Sequence, residues 1–296
     1  MMPAIYEALK RASSFLKERG REARAAEILL LHRLGKTRSE LLADWRKPLA
    51  PEDWEWFCDR VTRHADGVPV QYLTETEWFF GRAFRVTPDV LIPRPETEEL
   101  VAETLKRLKA LRDGPVRVLD VGTGSGVIAV TLALEHADCE VTAVDLSREA
   151  LAVARDNAER LGARVRFVHG DLLSPFLAAG ETFDCIVSNP PYIPSQEIGR
   201  LDPLVKDHEP RLALDGGSDG LEVYRRLCRD LPQVLRRPGL VAFEIGEGQG
   251  RAVAEILAAA FSSHADIEIL KDINGHERIV LARIDTNGLY GVNAGA

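Results

Sequence analysis

The sequence predicts an α/β protein: a doubly wound parallel sheet with an antiparallel last strand, preceded by a small all-α bundle and a β-hairpin linker. Three observations support this prediction. Apolar residues recur at helical spacing up to about residue 67, short extended segments surround Gly81, and five short apolar segments then alternate with helical stretches. Strands that alternate with helices are typical of a parallel sheet with helices on both faces.

The N-terminal bundle is predicted from the spacing of its apolar residues. In the first helix they recur every three or four positions, at Ile5, Leu9, Ala12 and Leu16. A second apolar run ends before Gly35, and residues 39–42 and 51–63 predict two further helices.

Between Val70 and Ile92 the pattern predicts extended structure. Glu77–Phe80 and Ala83–Val86 flank Gly81, which is typical of a hairpin. We therefore expect a helical domain, a hairpin linker, an α/β domain and a tail, at residues 1–73, 74–92, 93–284 and 285–296.

The strands of the predicted sheet are short apolar segments at residues 117–122, 140–145, 165–171, 183–189 and 240–246. Two last segments, 267–270 and 279–284, are joined by a short turn that contains Asn274 and Gly275. Because a short turn joins antiparallel neighbours, we expect these last two strands to pair antiparallel.

Composition and charge argue against several classes of protein. The chain has 296 residues, of which 45% are hydrophobic and 28% charged, as in globular proteins. Its net charge is −8, with +1 in the first 75 residues and −9 in the remainder, so we expect no extended binding of nucleic acid. The four cysteines form no C-x-x-C pair, so we expect a cytoplasmic protein without disulfides or metal sites. No apolar run approaches roughly 18 residues, so we expect no membrane span.

A glycine-rich turn follows the first strand of the predicted sheet. It contains Asp120, Gly122, Thr123, Gly124, Ser125 and Gly126, and the helical run 127–134 comes next. Glycines allow a tight turn and let a ligand approach the backbone amides at the start of the helix. Residues 124–129 also match G-x-G-x-x-G/A, and Asp145 follows about 20 residues later, as in dinucleotide-binding proteins. A turn that only packs the helix on the strand is the structural alternative.

The acidic residues around this turn favour S-adenosylmethionine over a dinucleotide. Asp120, just before the glycines, would repel a pyrophosphate but can face the ammonium of a methionine moiety, whose carboxylate then takes the loop amides. Asp145 could accept hydrogen bonds from the ribose hydroxyls, and Asp171 could accept one from the exocyclic amine of adenine. A role as helix caps is the alternative for Asp145 and Asp171.

The fourth strand leads into Asn189, Pro190, Pro191 and Tyr192. The two prolines stiffen this turn, so the Asn189 side chain and the Pro190 carbonyl are expected to act as fixed acceptors for the two hydrogens of a planar NH2 group. Tyr192 offers an aromatic face to the same group. Attack of this nitrogen on a methyl-sulfonium carbon then needs no general base, because the nitrogen becomes cationic and readily loses a proton. A proline turn with a packed tyrosine is the structural alternative.

Further segments resemble one family over about residues 3 to 284. They read PVQYL at 69–73, LIPRPETE at 91–98, EPRLALDGGSDGL at 209–221, EIGEGQ at 244–249 and DINGHERI at 272–279. With the Asn-Pro-Pro-Tyr segment they resemble the HemK or PrmC protein-(glutamine-N5) methyltransferases, which modify peptide chain release factors.

The resemblance implies a Rossmann-like class I methyltransferase fold and a role in translation termination. Its substrate would be the glutamine of the release factor Gly-Gly-Gln motif, held by Asn189 and Pro190 and flanked by Tyr192. The family also places Leu172, at a position that is often aromatic, beside the adenine. The helical domain would dock the release factor, or serve as a structural cap. Pro93, Arg94 and Thr97 would border the cofactor pocket or stabilise the linker.

Residue pattern and resemblance together assign two sets of residues. The methyl donor would be bound by Asp120, Gly122, Thr123, Gly124, Ser125, Gly126, Asp145, Asp171, Leu172 and Asn189. Substrate binding would fall to Asn189, Pro190, Pro191 and Tyr192, of which Asn189, Pro190 and Tyr192 are the candidate catalytic residues.

Two other functions share parts of this pattern. A nucleic-acid amino methyltransferase, acting on adenine-N6 or guanine-N2, would use the same Asn-Pro-Pro-Tyr segment but needs a groove lined with Lys and Arg, which the acidic α/β part disfavours. A module that only senses S-adenosylmethionine would not need the segment from Asn189 to Tyr192.

Overall fold

The structure is a computed structural model that describes residues 2–111 and 114–285. Apart from Asp285, the predicted tail lies outside the described residues. The helices are α1 (Ile5–Glu18), α2 (Arg24–Leu34), α3 (Arg38–Ala43), α4 (Pro51–Ala65), α5 (Val70–Thr74), α6 (Pro95–Leu111), α7 (Val127–Glu135), α8 (Arg148–Leu161), α9 (Ser174–Ala179), α10 (Pro203–Lys206), α11 (Glu222–Val234) and α12 (Gly250–Phe261). Short 3-10 segments span Ile198–Arg200, Arg211–Ala213 and Ser262–His264.

The strands form a hairpin and a larger sheet. They are β1 (Thr76–Phe79), β2 (Arg82–Arg85), β3 (Val116–Val121), β4 (Cys139–Asp145), β5 (Val165–His169), β6 (Phe183–Ser188), β7 (Leu235–Glu244), β8 (Ala265–Lys271) and β9 (Glu277–Ile284).

The chain divides into two compact units. The first comprises the chain up to Thr76 together with Asp202–His208, and the second comprises Glu77–Leu201 together with the chain from Glu209 onward. None of the helices in the described part of the chain is long and apolar enough to cross a membrane.

The first unit is a helical bundle. The apolar spacing predicted for α1 is confirmed, because Ile5, Leu9, Ala12 and Leu16 are all buried in its core. The start of α3 is fixed by a reciprocal pair of hydrogen bonds: the Glu40 amide donates to Thr37 Oγ1, and the Thr37 amide donates to Glu40 Oε2 at 2.8 Å.

The expectation of extended structure from Val70 onward was wrong at its beginning, because Val70–Thr74 forms the helix α5. Pro69, with φ −54°, precedes this helix at a position where a missing amide hydrogen costs nothing. Val70 and Leu73 point into the core of the bundle, and the Thr74 hydroxyl donates to the Val70 carbonyl at 3.1 Å. Burial of these apolar side chains stabilises a helix that is too short to be detected by periodicity.

The predicted hairpin is confirmed, with β1 and β2 pairing across Phe80 and Gly81. Phe79 and Phe84 are buried against one face of the large sheet, and their rings meet edge to face at 6.0 Å. The Phe80 amide donates to Glu98 Oε1 of α6 at 2.7 Å. These contacts attach the hairpin to the second unit.

In the described part of the chain, the large sheet has seven strands in the order β5-β4-β3-β6-β7-β9-β8. The first five in this order are parallel, and β9 is antiparallel to both β7 and β8. The predicted fold class and the antiparallel ending are therefore confirmed. The strand order reverses between β3 and β6, and in open α/β sheets ligands bind at the carboxyl ends of strands beside such a reversal.

The sheet has one apolar core on each face. Leu119 of β3, Ile186 of β6 and Phe243 of β7 pack on the side of α9, α11 and α12. Val118, which precedes Leu119, and Val187, which follows Ile186, pack on the side of α6, α7 and α8. Alternate residues of the central strands are thus buried on opposite faces, which explains why these strands are apolar throughout.

Removing the Phe243 ring should destabilise the second unit. Phe243 is fully buried and lies 5.7 Å from the Tyr224 ring. We expect Phe243→Ala to lower the free energy of unfolding by about 3 to 5 kcal/mol, because a large cavity replaces the ring. Ile273→Ala is the control, since Ile273 is 91% exposed and should change this free energy by no more than about 0.5 kcal/mol. Equal losses in the two variants, measured by urea unfolding, would contradict the assignment of this core.

Candidate active site

A cavity of about 390 Å³ lies at the carboxyl ends of β3, β4, β5 and β6. Its other side is lined by two further loops, at residues 88–93 and 210–213. Among the lining residues are Pro88, Asp89, Val90, Leu91, Pro93, Thr97, Gly122, Thr123, Gly124, Ser125, Val127, Asp145, Gly170, Asp171, Leu172, Asn189, Pro191, Pro210, Leu212, Ala213 and Arg226. The cavity therefore joins the glycine-rich turn to the start of the Asn-Pro-Pro-Tyr segment.

Nine of the residues assigned from the sequence line this cavity: Gly122, Thr123, Gly124, Ser125, Asp145, Asp171, Leu172, Asn189 and Pro191. Asp120, Gly126, Pro190 and Tyr192 are not among the lining residues. They lie behind the cavity or beside it.

The glycine-rich turn has the tight geometry that its sequence predicts. Gly124 and Gly126 have φ values of +54° and +84°, which favour glycine. A Cβ at Gly126 would lie 3.0 Å from the Cβ of Ala154, so this glycine also lets α7 pack closely on α8. Four amides of the turn already donate within the protein, namely those of Gly122, Thr123, Gly124 and Gly126. The start of α7 at Val127 and Ile128 is the part of the helix that lines the cavity.

Asp120 is fully buried beneath this turn. Its Oδ2 accepts hydrogen bonds from the Thr123 hydroxyl at 2.6 Å and the Ala129 amide at 3.2 Å, while its Oδ1 has no partner among the described residues. Burial raises the pKa of Asp120 to about 7, and the charge of Asp145 adds to this effect against the two hydrogen bonds. Asp120 is thus a buried carboxyl group, one oxygen of which accepts no hydrogen bond from the described residues.

Asp145 follows β4 and faces the cavity. Its Oδ2 accepts from the Gly124 amide and its Oδ1 from the Ser147 amide, both at 2.9 Å. Burial raises the pKa of Asp145, and these backbone hydrogen bonds oppose the shift. The Leu146 amide also stabilises the Asp145 carboxylate. Because the two oxygens can together accept four hydrogen bonds, Asp145 retains acceptor capacity toward the cavity.

Asp171 and Leu172 lie beyond the end of β5. Arg226 of α11 donates to Asp171 Oδ2 at 2.5 Å, so part of the acceptor capacity of Asp171 is used within the protein. Leu172 has φ +49°, a conformation that is uncommon for a residue other than glycine. Arg226 was not identified from the sequence, where nothing distinguishes it from the other arginines of an amphipathic helix.

The Asn189 side chain is held from behind. Its Nδ2 donates to Thr97 Oγ1 at 3.2 Å, and the Thr97 hydroxyl donates to Glu244 Oε2 at 2.6 Å. Thr97 and Glu244 are buried, with 3% and 1% of their surfaces exposed. Burial raises the pKa of Glu244 to about 7. Thr97 lines the cavity, in line with one of the two roles suggested by the sequence, whereas Glu244 was not singled out there.

Tyr192 packs between the Asn-Pro-Pro turn and the loop after β7. Its carbonyl accepts a hydrogen bond from Gln249 Nε2 at 2.9 Å, and a Cβ at Gly246 would come within 3.0 Å of its ring. Burial and the nearby Glu244 charge raise the pKa of Tyr192 to about 12. The ring is therefore neutral and mostly buried, and its expected contact with a substrate stays a prediction.

Two loops on the opposite side of the cavity are joined by an ion pair between the partly exposed Arg94 and the buried Glu209. Arg94 Nη2 contacts Glu209 Oε1 at 2.5 Å, and the Ile92 amide donates to the other oxygen of Glu209. Burial raises the pKa of Glu209, while the Arg94 charge opposes the shift. Arg94 thus serves the loop structure rather than the cavity wall, which is the structural role considered from the sequence.

Asn157 of α8 connects the hairpin to the glycine-rich turn. Its Oδ1 accepts from the Arg85 amide at 2.7 Å, and its Nδ2 donates to the carbonyls of Arg85 and Ser125 at 2.9 Å. Asn157 was not identified from the sequence. The available signal was a polar residue on the apolar face of α8, alongside Ala154 and Ala158.

The arrangement suits a polar ligand that carries both hydrogen-bond donors and a negative charge. The cavity has carboxylates at Asp145 and Asp171, a helix N-terminus at Val127, and a side-chain amide at Asn189. Across the described residues, no group of three or more His, Cys, Asp or Glu side chains is arranged to hold a metal ion.

Comparison with known proteins identifies the family and the fold. A family profile described as "PrmC N-terminal domain" matches residues 7–74, and one described as "Methyltransferase small domain" matches residues 98–216. A methyltransferase from Pyrococcus furiosus, with a TM-score of 0.51 and 23% identity over 76% of this chain and 98% of its own, shares the fold.

Two curated relatives are similar over almost their whole length, and both are named release factor glutamine methyltransferase. The Bacillus subtilis (strain 168) protein is 52% identical over 97% of this chain and 100% of its own length. The Geobacter sulfurreducens protein is 41% identical over 95% of this chain and 96% of its own. The family resemblance and the prediction of an S-adenosylmethionine-dependent enzyme are confirmed, and the chain belongs to the release factor glutamine methyltransferase family.

Proposed function

We propose that this enzyme transfers a methyl group from S-adenosylmethionine to the side-chain amide nitrogen, N5, of the glutamine in the Gly-Gly-Gln motif of peptide chain release factors. The observation that carries the proposal is the placement of Asn189. Its side chain lines the same cavity as the glycine-rich turn and Asp145, while its Nδ2 is occupied by Thr97. Its Oδ1 is therefore the atom available to accept a hydrogen from a substrate amide.

The cavity fits S-adenosylmethionine. Asp145 faces the cavity and retains acceptor capacity beyond its backbone hydrogen bonds, which suits the hydroxyls of a ribose. Leu172 and Asp171 supply an apolar wall and a carboxylate for the adenine. The start of α7 suits the methionine carboxylate, and the unpartnered Oδ1 of Asp120 suits a cationic ammonium near the turn.

The chain's own residues position the methyl acceptor. When bound, S-adenosylmethionine supplies an electrophilic methyl group on a sulfonium. Asn189 Oδ1 and the Pro190 carbonyl accept the two hydrogens of the glutamine NH2 group, which turns the nitrogen lone pair toward the donor. Orientation of this kind contributes up to about 7 to 11 kcal/mol to the lowering of a barrier. Attack on the methyl group makes the nitrogen cationic and strongly acidic, so it loses one proton to water past these two hydrogen-bond acceptors.

The direct test is a methyl-transfer assay with three acceptors: a purified bacterial release factor, duplex DNA and ribosomal RNA. We expect mass spectrometry to show one added methyl group on the Gly-Gly-Gln peptide alone. Asn189→Ala should remove most of this turnover and leave S-adenosylmethionine affinity within a few fold, because the lost contacts act mainly on the substrate amide. Methylation of nucleic acid alone, or normal turnover by the variant, would refute the proposal.

Asp145 can be tested through cofactor affinity. We expect Asp145→Ala to weaken S-adenosylmethionine binding by about 1.5 to 3 kcal/mol, the range for hydrogen bonds to a charged group. Asp266→Ala is the control, because Asp266 is exposed on β8 at the opposite side of the sheet from β4. Calorimetry that gave equal affinities for the two variants would remove Asp145 from the cofactor site.

Asp120 predicts a pH dependence of stability in the protein without cofactor. A carboxyl group in the unfolded chain has a pKa near 3.9, whereas that of buried Asp120 is about 7. The folded state therefore holds this proton more tightly, and the contribution of Asp120 to stability falls as pH rises through this interval. From about pH 5 to about pH 8, the unfolding free energy of the wild type should fall by about 2 to 3 kcal/mol relative to Asp120→Asn. A constant difference between the two proteins would contradict the assigned pKa.

A further inference from the structure

A buried threonine and a buried glutamate stand directly behind Asn189. Thr97 lies in the first turn of α6, and Glu244 is the last residue of β7. Thr97 Oγ1 is 2.6 Å from Glu244 Oε2 and 3.2 Å from Asn189 Nδ2. The three side chains form one series of hydrogen bonds that ends at Asn189, which lines the cavity.

The threonine hydroxyl determines which group donates and which accepts in each of these hydrogen bonds. A hydroxyl has one proton to donate, and Thr97 donates it to the Glu244 carboxylate. The Thr97 oxygen can then only accept from Asn189. A reversed Asn189 amide would place Oδ1 against an oxygen without a free proton, so two acceptors would face each other in a buried place. The carboxylate at Glu244 thereby determines that Nδ2 of Asn189 faces inward and Oδ1 faces outward.

We infer that Thr97 and Glu244 are positioning residues that set the orientation of the Asn189 amide, so that its Oδ1 is held toward the methyl acceptor. The inference rests on the proposed role of Asn189. Glu244 is not among the residues that line the cavity, whereas Thr97 lines it beside Asn189. Glu244 acts through Thr97, and Thr97 acts through Asn189.

The charge state of Glu244 determines which orientation of the Asn189 amide is favoured. A protonated Glu244 can donate to Thr97, which frees the threonine proton to donate to Asn189 Oδ1 and stabilises the reversed amide. Burial raises the pKa of Glu244 to about 7, while the Thr97 hydrogen bond and the charge of Arg278 oppose this shift. The reversed amide would present NH2 to the substrate NH2 group, so the reaction should slow as pH falls.

The surroundings of Glu244 contain other charged and titratable groups. Arg278 lies on β9, Glu96 lies in the first turn of α6, and Arg94 directly precedes this helix. Tyr192 lies in the turn after β6. The Tyr224 hydroxyl of α11 donates to the Glu244 backbone carbonyl at 2.7 Å. The two arginines favour the charged form of Glu244, and Glu96 disfavours it. Burial is the strongest effect, so the net result is a raised pKa.

The test compares four variants for turnover of a release factor at saturating S-adenosylmethionine. Thr97→Val keeps the shape of the side chain but removes the hydroxyl, and we expect kcat to fall by about 10- to 100-fold with cofactor affinity within about threefold. Thr97→Ser restores the hydroxyl and should restore most of kcat. Glu244→Gln should lower kcat and abolish its decline toward acidic pH.

Thr104→Val is the matched control. Thr104 is also buried on α6, and its hydroxyl donates to the Leu100 carbonyl within the helix. This variant should keep the wild-type kcat and pH profile. Wild-type kcat in a folded Thr97→Val protein, or a loss in Thr97→Ser as large as in Thr97→Val, would overturn the inference.

A readout without any methyl acceptor separates this inference from the proposed function. The side-chain amide signals of Asn189 in ¹⁵N NMR should shift with pH between about pH 5.5 and pH 8.5, as Glu244 titrates. The shift should disappear in Thr97→Val and persist in Thr104→Val. An Asn189 signal that is independent of pH in the wild type would overturn the inference, whether or not release factor is methylated.

Discussion

The parallel pairing of β3 with β6 is the constraint on which the rest of the site depends. Val121 of β3 is in register with Ser188 of β6, and the Ser188 hydroxyl donates to the Val121 carbonyl at 2.7 Å. The next residue along each strand begins a functional turn: Gly122 begins the glycine-rich turn, and Asn189 begins the proline turn. One buried strand pair therefore sets the distance between the part of the cavity that fits the methyl donor and the residue that faces the acceptor.

Behind both turns lies a buried acid. Asp120 supports the glycine-rich turn through Thr123, and Glu244 supports the Asn189 side chain through Thr97. Burial raises the pKa of each to about 7, so each carboxylate is costly to ionise and its hydrogen bonds offset only part of that cost. Burial that makes ionisation costly is typical of groups that contribute to a functional site rather than to the stability of the fold. The same pattern appears at the carboxyl ends of β3 and β7, on either side of β6, where a threonine links the acid to the cavity.

The sequence predicted those features that are local in the chain. The strands, the hairpin, the glycine-rich turn and Asn189 all follow from residues within one short segment. The contacts of Asn189 with Thr97 and of Thr97 with Glu244 join residues 92 and 147 positions apart, so no local pattern reveals them. Arg226 pairs with Asp171 across 55 positions for the same reason. The helix α5 was missed because it is a single turn stabilised by burial in the helical unit.

The orientation of the Asn189 amide links the fold to the chemistry. A neutron crystal structure of the enzyme with S-adenosylhomocysteine and a release factor that carries the Gly-Gly-Gln motif would show this orientation, because neutrons distinguish the amide nitrogen from the oxygen. We expect the glutamine side-chain nitrogen to lie about 2.7 to 3.2 Å from Asn189 Oδ1, with Asn189 Nδ2 still on Thr97. A glutamine nitrogen bound away from Asn189, or Asn189 Oδ1 turned toward Thr97 in the complex, would contradict this orientation.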